Sequence, residues 1–310
     1  MKLNETQKEW IEYYSNLGYS SREIERRTGV SKSACNYFLN GRATPQVPQK
    51  DGPRVLLFDL ESAPSIVAAF GRFKVNVPQD AVVKEGGSLI SVCYKFLGDN
   101  KVTKLVQTPK EAKAMDDSRL VAELYVAFEE ANIIVAHNLD RFDLPLFKTR
   151  LLANGFPPPP TVKTVDTLKI AKSMRFSSNK LDSLGSYLEL GRKVDHEGIK
   201  LWLDCMNGDK KSLDKMLAYN EQDVLLLEKI YLKIRAFDTK PANAGQYFKD
   251  SEVHCPVCGS TDLTPTGNSV YTSVSEFPEV ECNDCGHKSR TRSTTSTKET
   301  RSKLLLTPQK

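Results

Sequence analysis

The stretch Val55-Leu56-Leu57-Phe58-Asp59-Leu60-Glu61 decides the reading of this chain. Four apolar residues after Gly52-Pro53 read as a buried strand. Two carboxylates come next, one residue apart. A strand sends residues i and i+2 to the same face, so Asp59 and Glu61 project together. Like charges held that close repel unless a cation stands between them, and a divalent ion with oxygen ligands suits that gap. Alone, Asp-x-Glu after an apolar run also describes a strand ending in a solvated turn. Acids further along the chain decide between the two.

Downstream, Leu89 to Phe96 and Val102 to Val106 read as strands around a Gly98-Asp99-Asn100 turn. Asp117 to Ala131 has the periodicity of an amphipathic helix, and Ile133 to Ala136 is a second buried strand that delivers His137-Asn138. A helix from Phe142 to Ala153 puts Asp143 at its start, and Thr161 to Asp166 is a further short strand. Helices are expected at Leu181 to Leu188, Ile199 to Met206 and Ser212 to Phe237. Within the last, Tyr219 and Asp223 share one face by i, i+4 spacing. Strands first, then strands alternating with helices, give an α/β mixed sheet flanked by helices.

The ordered set Asp59 and Glu61, then Asn138-x-x-x-Phe142-Asp143, then Tyr219-x-x-x-Asp223 resembles the three exonuclease motifs of the DEDD (DnaQ-like) superfamily. Position 218 is Ala and position 219 is Tyr, which is similar to the tyrosine branch. The resemblance spans roughly residues 54–238 and implies a ribonuclease H-like fold. It also implies a 3′–5′ exonuclease that releases nucleoside 5′-monophosphates with two Mg²⁺ or Mn²⁺ ions. In that resemblance Asp59, Glu61, Asp143 and Asp223 hold the metals and Tyr219 orients the attacking water, while Asn138 supports the site or contacts substrate. His137 reads as a structural histidine, and Asp166 as a helix cap in place of a ligand. Asp182, Asp195 and His196 fall in a loop-rich stretch without a clear role.

Before this domain, residues 1–42 show three helical patterns. The first runs from Glu5 to Leu17, the second follows a capping Ser20, and the third follows Ser31, with Gly29-Val30 turning between the last two. They resemble a helix-turn-helix in which Lys32, Ser33, Asn36 and Tyr37 face nucleic acid and Arg22, Arg26 and Arg27 lie near phosphates. Residues 43–53 and 239–252 are polar and Pro-containing, hence linkers.

Residues 253–290 carry Cys255-Pro-Val-Cys258-Gly259 and Cys282-Asn-Asp-Cys285-Gly286. Two Cys-x-x-Cys-Gly knuckles aim four thiolates at one point, the pattern of one structural Zn²⁺ in a zinc ribbon. Val270 to Val274 and Glu279 to Glu281 are its β-prone stretches, and His254 and His287 read as spectators. The tail, 291–310, is basic. From Gly286 onward Lys288, Arg290, Arg292, Lys298, Arg301, Lys303 and Lys310 face one acid, Glu299, which suits a polyanion as well as a solvated tail.

Composition bounds the rest. The 310 residues carry a net charge of only +5, which says little by itself. The seven cysteines read as metal usage in a reducing compartment rather than a disulfide framework. No apolar run suits a membrane span or a signal segment, so a cytoplasmic protein is expected, of a bacterial or virus-infected cell. The expected partner is nucleic acid, DNA ahead of RNA, with a replication or repair protein as a further candidate. Two rivals stand beside the exonuclease: a DNA-binding regulator or scaffold with an inactive nuclease-like domain, and a structure-specific endonuclease or RNA-processing nuclease on the same core.

Overall fold

Alternation along the Val55–Glu61 stretch sorts its side chains onto two faces of a sheet, as expected. The computed structural model describes residues 3–16, 20–39, 52–71, 73, 76–191 and 198–306, without the side chains of residues 16, 33 and 37. The chain divides into two compact units, Met1–Gln49 with Arg54–Ile230, and Lys50–Pro53 with Tyr231–Lys310.

The first unit opens with α1 (Glu5–Asn16), α2 (Ser21–Thr28) and α3 (Lys32–Leu39). The Ser20 side chain accepts the Glu23 N–H and so caps α2, and Gly29 ends it at φ 68°. The left-handed backbone at Gly29 is what demands glycine there; the Glu123 carboxylate 2.7 Å from a Cβ at that position is the end of a flexible side chain that can swing aside. Ile11, Ile24, Val30 and Cys35 fill a small core between the three helices. Trp10 points elsewhere, against Tyr125 at 5.0 Å and edge-on to Phe156 at 4.8 Å, inside the main core. Trp10→Ala is expected to cost about 3–5 kcal/mol in urea denaturation, because it opens a cavity where the helical module meets the α/β core.

Then come β1 (Val55–Ser62), β2 (Ile66–Val67), β3 (Val82–Lys84), β4 (Leu89–Phe96), β5 (Thr103–Val106), α4 (Pro109–Ala114) and α5 (Ser118–Glu130). They are followed by β6 (Ile133–Ala136), α6 (Asp143–Ala153), β7 (Lys163–Asp166), α7 (Thr167–Lys172), α8 (Leu181–Tyr187), α9 (Ile199–Met206) and α10 (Lys210–Ile234). Five strands form one mixed sheet in the order β5-β4-β1-β6-β7. β1, β6 and β7 run parallel, while β4 pairs antiparallel with both β1 and β5. Leu56, Phe58 and Leu60 pack with residues of α5 and α6 such as Leu124, Phe128 and Phe147. Across the sheet, Ile90 packs with Leu201, Met206, Leu213 and Met216 of α9 and α10. Because Phe58 and Leu60 belong to the first face, Asp59 and Glu61 belong to the second.

Several elements differ from expectation. The β2–β3 pair and α4 were not foreseen, whereas α7 follows the expected cap at Asp166. α4 carries a full capping box between Thr108 and Glu111 with Pro109 at its first position. β7 begins at Lys163 rather than Thr161, and the long helix starts at Lys210 and passes into a 3₁₀ turn at Arg235–Phe237.

The second unit holds β8 (Leu263–Tyr271), β9 (Glu276–Cys282), β10 (Lys288–Arg290) and α11 (Lys298–Ser302), the three strands in the order β10-β9-β8. The expected strand at Val270–Val274 is corrected. Pairing runs from Leu263 to Tyr271, and Thr272 N–H donates to Ser275 O at 2.8 Å to close the hairpin there. Within 239–252, Ala244–Tyr247 forms a 3₁₀ turn and the Phe248 ring stacks on His254 at 3.9 Å. Among the described residues, no helix is long and apolar enough to cross a membrane.

Candidate functional site

β1 outruns one of its partners. It pairs with β6 only over Val55–Leu57, yet continues with β4 as far as Ser62. The segment bearing Asp59 and Glu61 therefore has an open edge at the carboxyl end of the parallel strands, where open α/β sheets form crevices. A cleft of about 650 Å³ lies there, lined by Asp59, His137, Asn138, Leu168, Asn179, Lys180, Leu181, Asp182 and Tyr219. A second cavity, about 500 Å³ beside α6 and the Pro157–Pro160 run, has no carboxylate in its lining. The first is lined by two carboxylates, Asp59 and Asp182.

α10 completes the arrangement from the face of the sheet that bears Asp59 and Glu61. Its i, i+4 pair Tyr219 and Asp223 is buried, at 6% and 1% exposure. Asp59, Glu61 and Asp223 each bring a carboxylate oxygen within 4.8 Å of the others. Three hard oxygen donors that close together suit a divalent ion such as Mg²⁺ or Mn²⁺.

Asp143 stands beside this trio. It starts α6 at 2% exposure, and burial pushes its carboxyl well above the ordinary range. The nearby Asp166 and Glu61 charges add to the rise, against hydrogen bonds from backbone groups including Leu60. The folded-state pKa thus exceeds the unfolded one, so the protonated form contributes stability that is lost as pH rises through the folded value. Without metal, the wild type is expected to lose stability between about pH 4 and the raised pKa, and Asp143→Asn to flatten that slope in thermal melts.

The neighbours take up supporting roles. His137 bonds Thr167 Oγ1 through Nδ1 and Asn179 O through Nε2, each at 2.9 Å. Asp166 caps α7 by accepting the Leu168 N–H at 3.0 Å, and it also accepts the Asn138 N–H at 2.9 Å. That second bond holds Asn138 at φ 71°, a conformation asparagine tolerates, and so shapes the turn that delivers Asp143. Asp182 lines the cleft. Asp195 and His196 lie outside the described residues.

Sequence reasoning missed two residues here. Trp202 of α9 donates its indole N–H to Glu61 Oε2 at 3.2 Å and meets Tyr219 edge-on at 6.2 Å. Asn220, fully buried, donates from Nδ2 to Asp59 Oδ2 at 2.6 Å. Adjacency to Tyr219 was the only sequence signal for Asn220. Nothing in the sequence signals that α9 reaches Glu61.

The four knuckle cysteines gather in the second unit. Sulfur–sulfur separations are 3.6 Å for Cys255–Cys285 and 3.5 Å for Cys258–Cys282. A tetrahedron with 2.3 Å zinc–sulfur bonds has edges of about 3.8 Å, so the cluster fits a zinc ribbon. Gly259 and Gly286 sit at φ 80° and 74° and close matching turns by donating to Cys255 O and Cys282 O. Hydrogen bonding between Cys255 and Cys258 lowers the Cys255 thiol and raises that of Cys258, so the two share a proton between them. Neither histidine joins the cysteine cluster, and each bonds a backbone carbonyl instead. His254 Nδ1 bonds Gly259 O, and His287 Nδ1 bonds Ala236 O.

The expected nucleic-acid contacts are unevenly free. Lys32 and Asn36 are exposed on α3, where Asn36 accepts from Ser21 Oγ. The Ser33 and Tyr37 side chains lie outside the described residues. Arg26 and Arg27 both pair with Glu23 on their own helix, because i+3 and i+4 spacing brings them there. In the second unit Lys288 and Arg292 are exposed, and Arg290 lies over the Phe277 ring at 3.9 Å. Residues 294–296 bond along the start of β9, Thr294 Oγ1 donating to Glu276 O and Glu276 N–H donating to Ser296 Oγ.

A search of curated proteins gives no match. Among solved structures, one similar chain is a family B DNA polymerase from the hyperthermophilic archaeon Pyrobaculum calidifontis. The likeness has a TM-score of 0.44 and 16% identity, and it covers 63% of this chain and 26% of the polymerase. The family model of the RNase_H superfamily matches residues 84–235, which include Asp143, Tyr219 and Asp223 and begin after Asp59 and Glu61. The five-stranded mixed sheet with helices on both faces is RNase H-like, and residues 84–235 match an RNase_H superfamily domain.

Proposed function

We propose that this chain is a metal-dependent 3′–5′ exonuclease that hydrolyses nucleic acid, DNA in preference to RNA, to nucleoside 5′-monophosphates. The observation that carries the reading is the approach of Asp59, Glu61 and Asp223 within 4.8 Å of one another, on a cleft that Asp59 and Tyr219 both line. These three carboxylates hold the divalent ions, and Asp143 at the start of α6 is a fourth ligand to the second ion. Bound Mg²⁺ or Mn²⁺ supplies charge neutralisation at the phosphate and a more acidic water. Tyr219 orients the attacking water through its hydroxyl, and the polar cleft wall at Asn138 and Lys180 receives the strand. The four cysteines hold one structural Zn²⁺. Lys288, Arg290 and Arg292 on the ribbon grip the nucleic acid, Lys32, Ser33 and Asn36 on α3 face a groove, and Arg26 and Arg27 reach phosphates on leaving Glu23. A replication or repair protein is a fitting partner for such an activity.

The test is digestion of matched single-stranded DNA, duplex DNA and RNA with Mg²⁺, Mn²⁺ or chelator, beside Asp223→Asn. Metal-dependent release of mononucleotides, lost in Asp223→Asn, is the expected result. Cleavage in chelator contradicts the metal reading. Salt-sensitive binding without cleavage favours the regulator, and internal cuts favour an endonuclease.

A further inference from the structure

We propose that Trp202 and Asn220 are positioning residues that fix the carboxylate cluster before any cation arrives, Trp202 by holding Glu61 and Tyr219, and Asn220 by holding Asp59. The inference rests on the metal-dependent reading above and adds two residues to it. Three carboxylates within 4.8 Å of one another repel and, left alone, rotate apart. Each β1 acid instead has a neutral donor from a different helix. The Trp202 indole N–H reaches Glu61 Oε2 at 3.2 Å, and the Asn220 amide reaches Asp59 Oδ2 at 2.6 Å. Neither donor brings a positive charge that would compete with a cation, yet each selects one rotamer of its acid. Outer partners that orient metal-ligating groups in this way contribute about 10–100-fold to metal affinity.

Two features argue against simple packing. Asn220 is fully buried, and its Oδ1 has no hydrogen-bond partner among the described residues. A buried amide with an unmet oxygen is costly, and an apolar residue would fill the same place without that cost. Trp202 is half-buried at the edge of the cluster around Ile90 and Tyr219, and its indole N–H is directed at Glu61 rather than at solvent. Its ring meets Tyr219 edge-on at 6.2 Å, so one side chain bears on both the acid and the tyrosine. Asn220 comes directly after Tyr219 on α10, so a shift of that helix moves Tyr219, Asn220 and Asp223 together.

The experiment is Mn²⁺ titration by calorimetry on the full chain, comparing wild type, Trp202→Phe and Asn220→Leu. The two substitutions remove the donors and keep an aromatic ring or a similar volume. Each variant is expected to bind Mn²⁺ about 10–100-fold more weakly, with little change in the metal-free melting temperature. Hydrolysis at limiting Mn²⁺ should fall in step and recover at saturating Mn²⁺, a rescue that a purely structural defect would not show. A second readout uses Trp10→Phe, which leaves Trp202 as the sole indole of the two in the sequence. Its emission should be quenched saturably by Mn²⁺, and Asp59→Ala should abolish the response. Wild-type Mn²⁺ affinity in both folded variants overturns the inference while leaving the nuclease reading intact. A wild type that binds no Mn²⁺ overturns both.

Discussion

Asp59→Ala is expected to abolish metal-dependent hydrolysis, by about 10³-fold or more, while leaving the metal-free fold as stable as the wild type or slightly more so. A 10³-fold loss corresponds to about 4 kcal/mol of transition-state stabilisation. It is large because Asp59 shares the approach within 4.8 Å with Glu61 and Asp223 and also lines the cleft. The stability effect has the opposite sign. Two unit charges about 5 Å apart repel by about 3 kcal/mol at an effective dielectric of 20, and partial exposure of Asp59 screens much of that. Removing one charge relieves it, less the lost bond from Asn220. Initial rates and urea melts without metal check the two signs together. A variant both inactive and unfolded would point to a structural acid.

Zinc removal is expected to unfold the ribbon as a unit while the α/β unit keeps its own cooperative transition. Within the ribbon, the buried cluster is Cys255, Val257 and Cys282, and β8 and most of β9 are exposed or half-buried. Without the metal, so few apolar residues cannot offset the chain entropy of three strands. Structural zinc binding contributes about 10–16 kcal/mol in comparable peptides, so binding and folding of this segment are one event. One zinc per chain by elemental analysis, and loss of amide protection across 253–290 in chelator, are the expected measurements. Cys282→Ser should reproduce the loss, because it removes both a ligand and the most buried end of β9. Protected ribbon amides in a zinc-free chain would contradict the account.

Legibility followed the range of each signal. Strand alternation and the i, i+4 rule act within one element, so the faces of Asp59 with Glu61, and of Tyr219 with Asp223, could be read from the sequence. The Cys-x-x-Cys-Gly pairs also carry their turn geometry locally, and the quartet gathers as its spacing implies. Contacts between elements were not legible. Trp202 reaches Glu61 across 141 residues, and no periodicity encodes that approach. β2 and β3 span only two and three residues, too short for an alternating pattern to register. The α2 arginines show the converse limit. The helix-turn-helix resemblance marked Arg26 and Arg27 as phosphate contacts, whereas spacing on their own helix offers Glu23 first.

Polarity of hydrolysis tests the central claim most directly. A single-stranded DNA oligonucleotide labelled at the 5′ end in one sample and at the 3′ end in another would be tracked with Mg²⁺ by gel and mass spectrometry. The account predicts that the 3′ label leaves first as a nucleoside 5′-monophosphate, while the 5′-labelled strand shortens one nucleotide at a time. Early release of the 5′ label, or internal fragments ahead of mononucleotides, would contradict it.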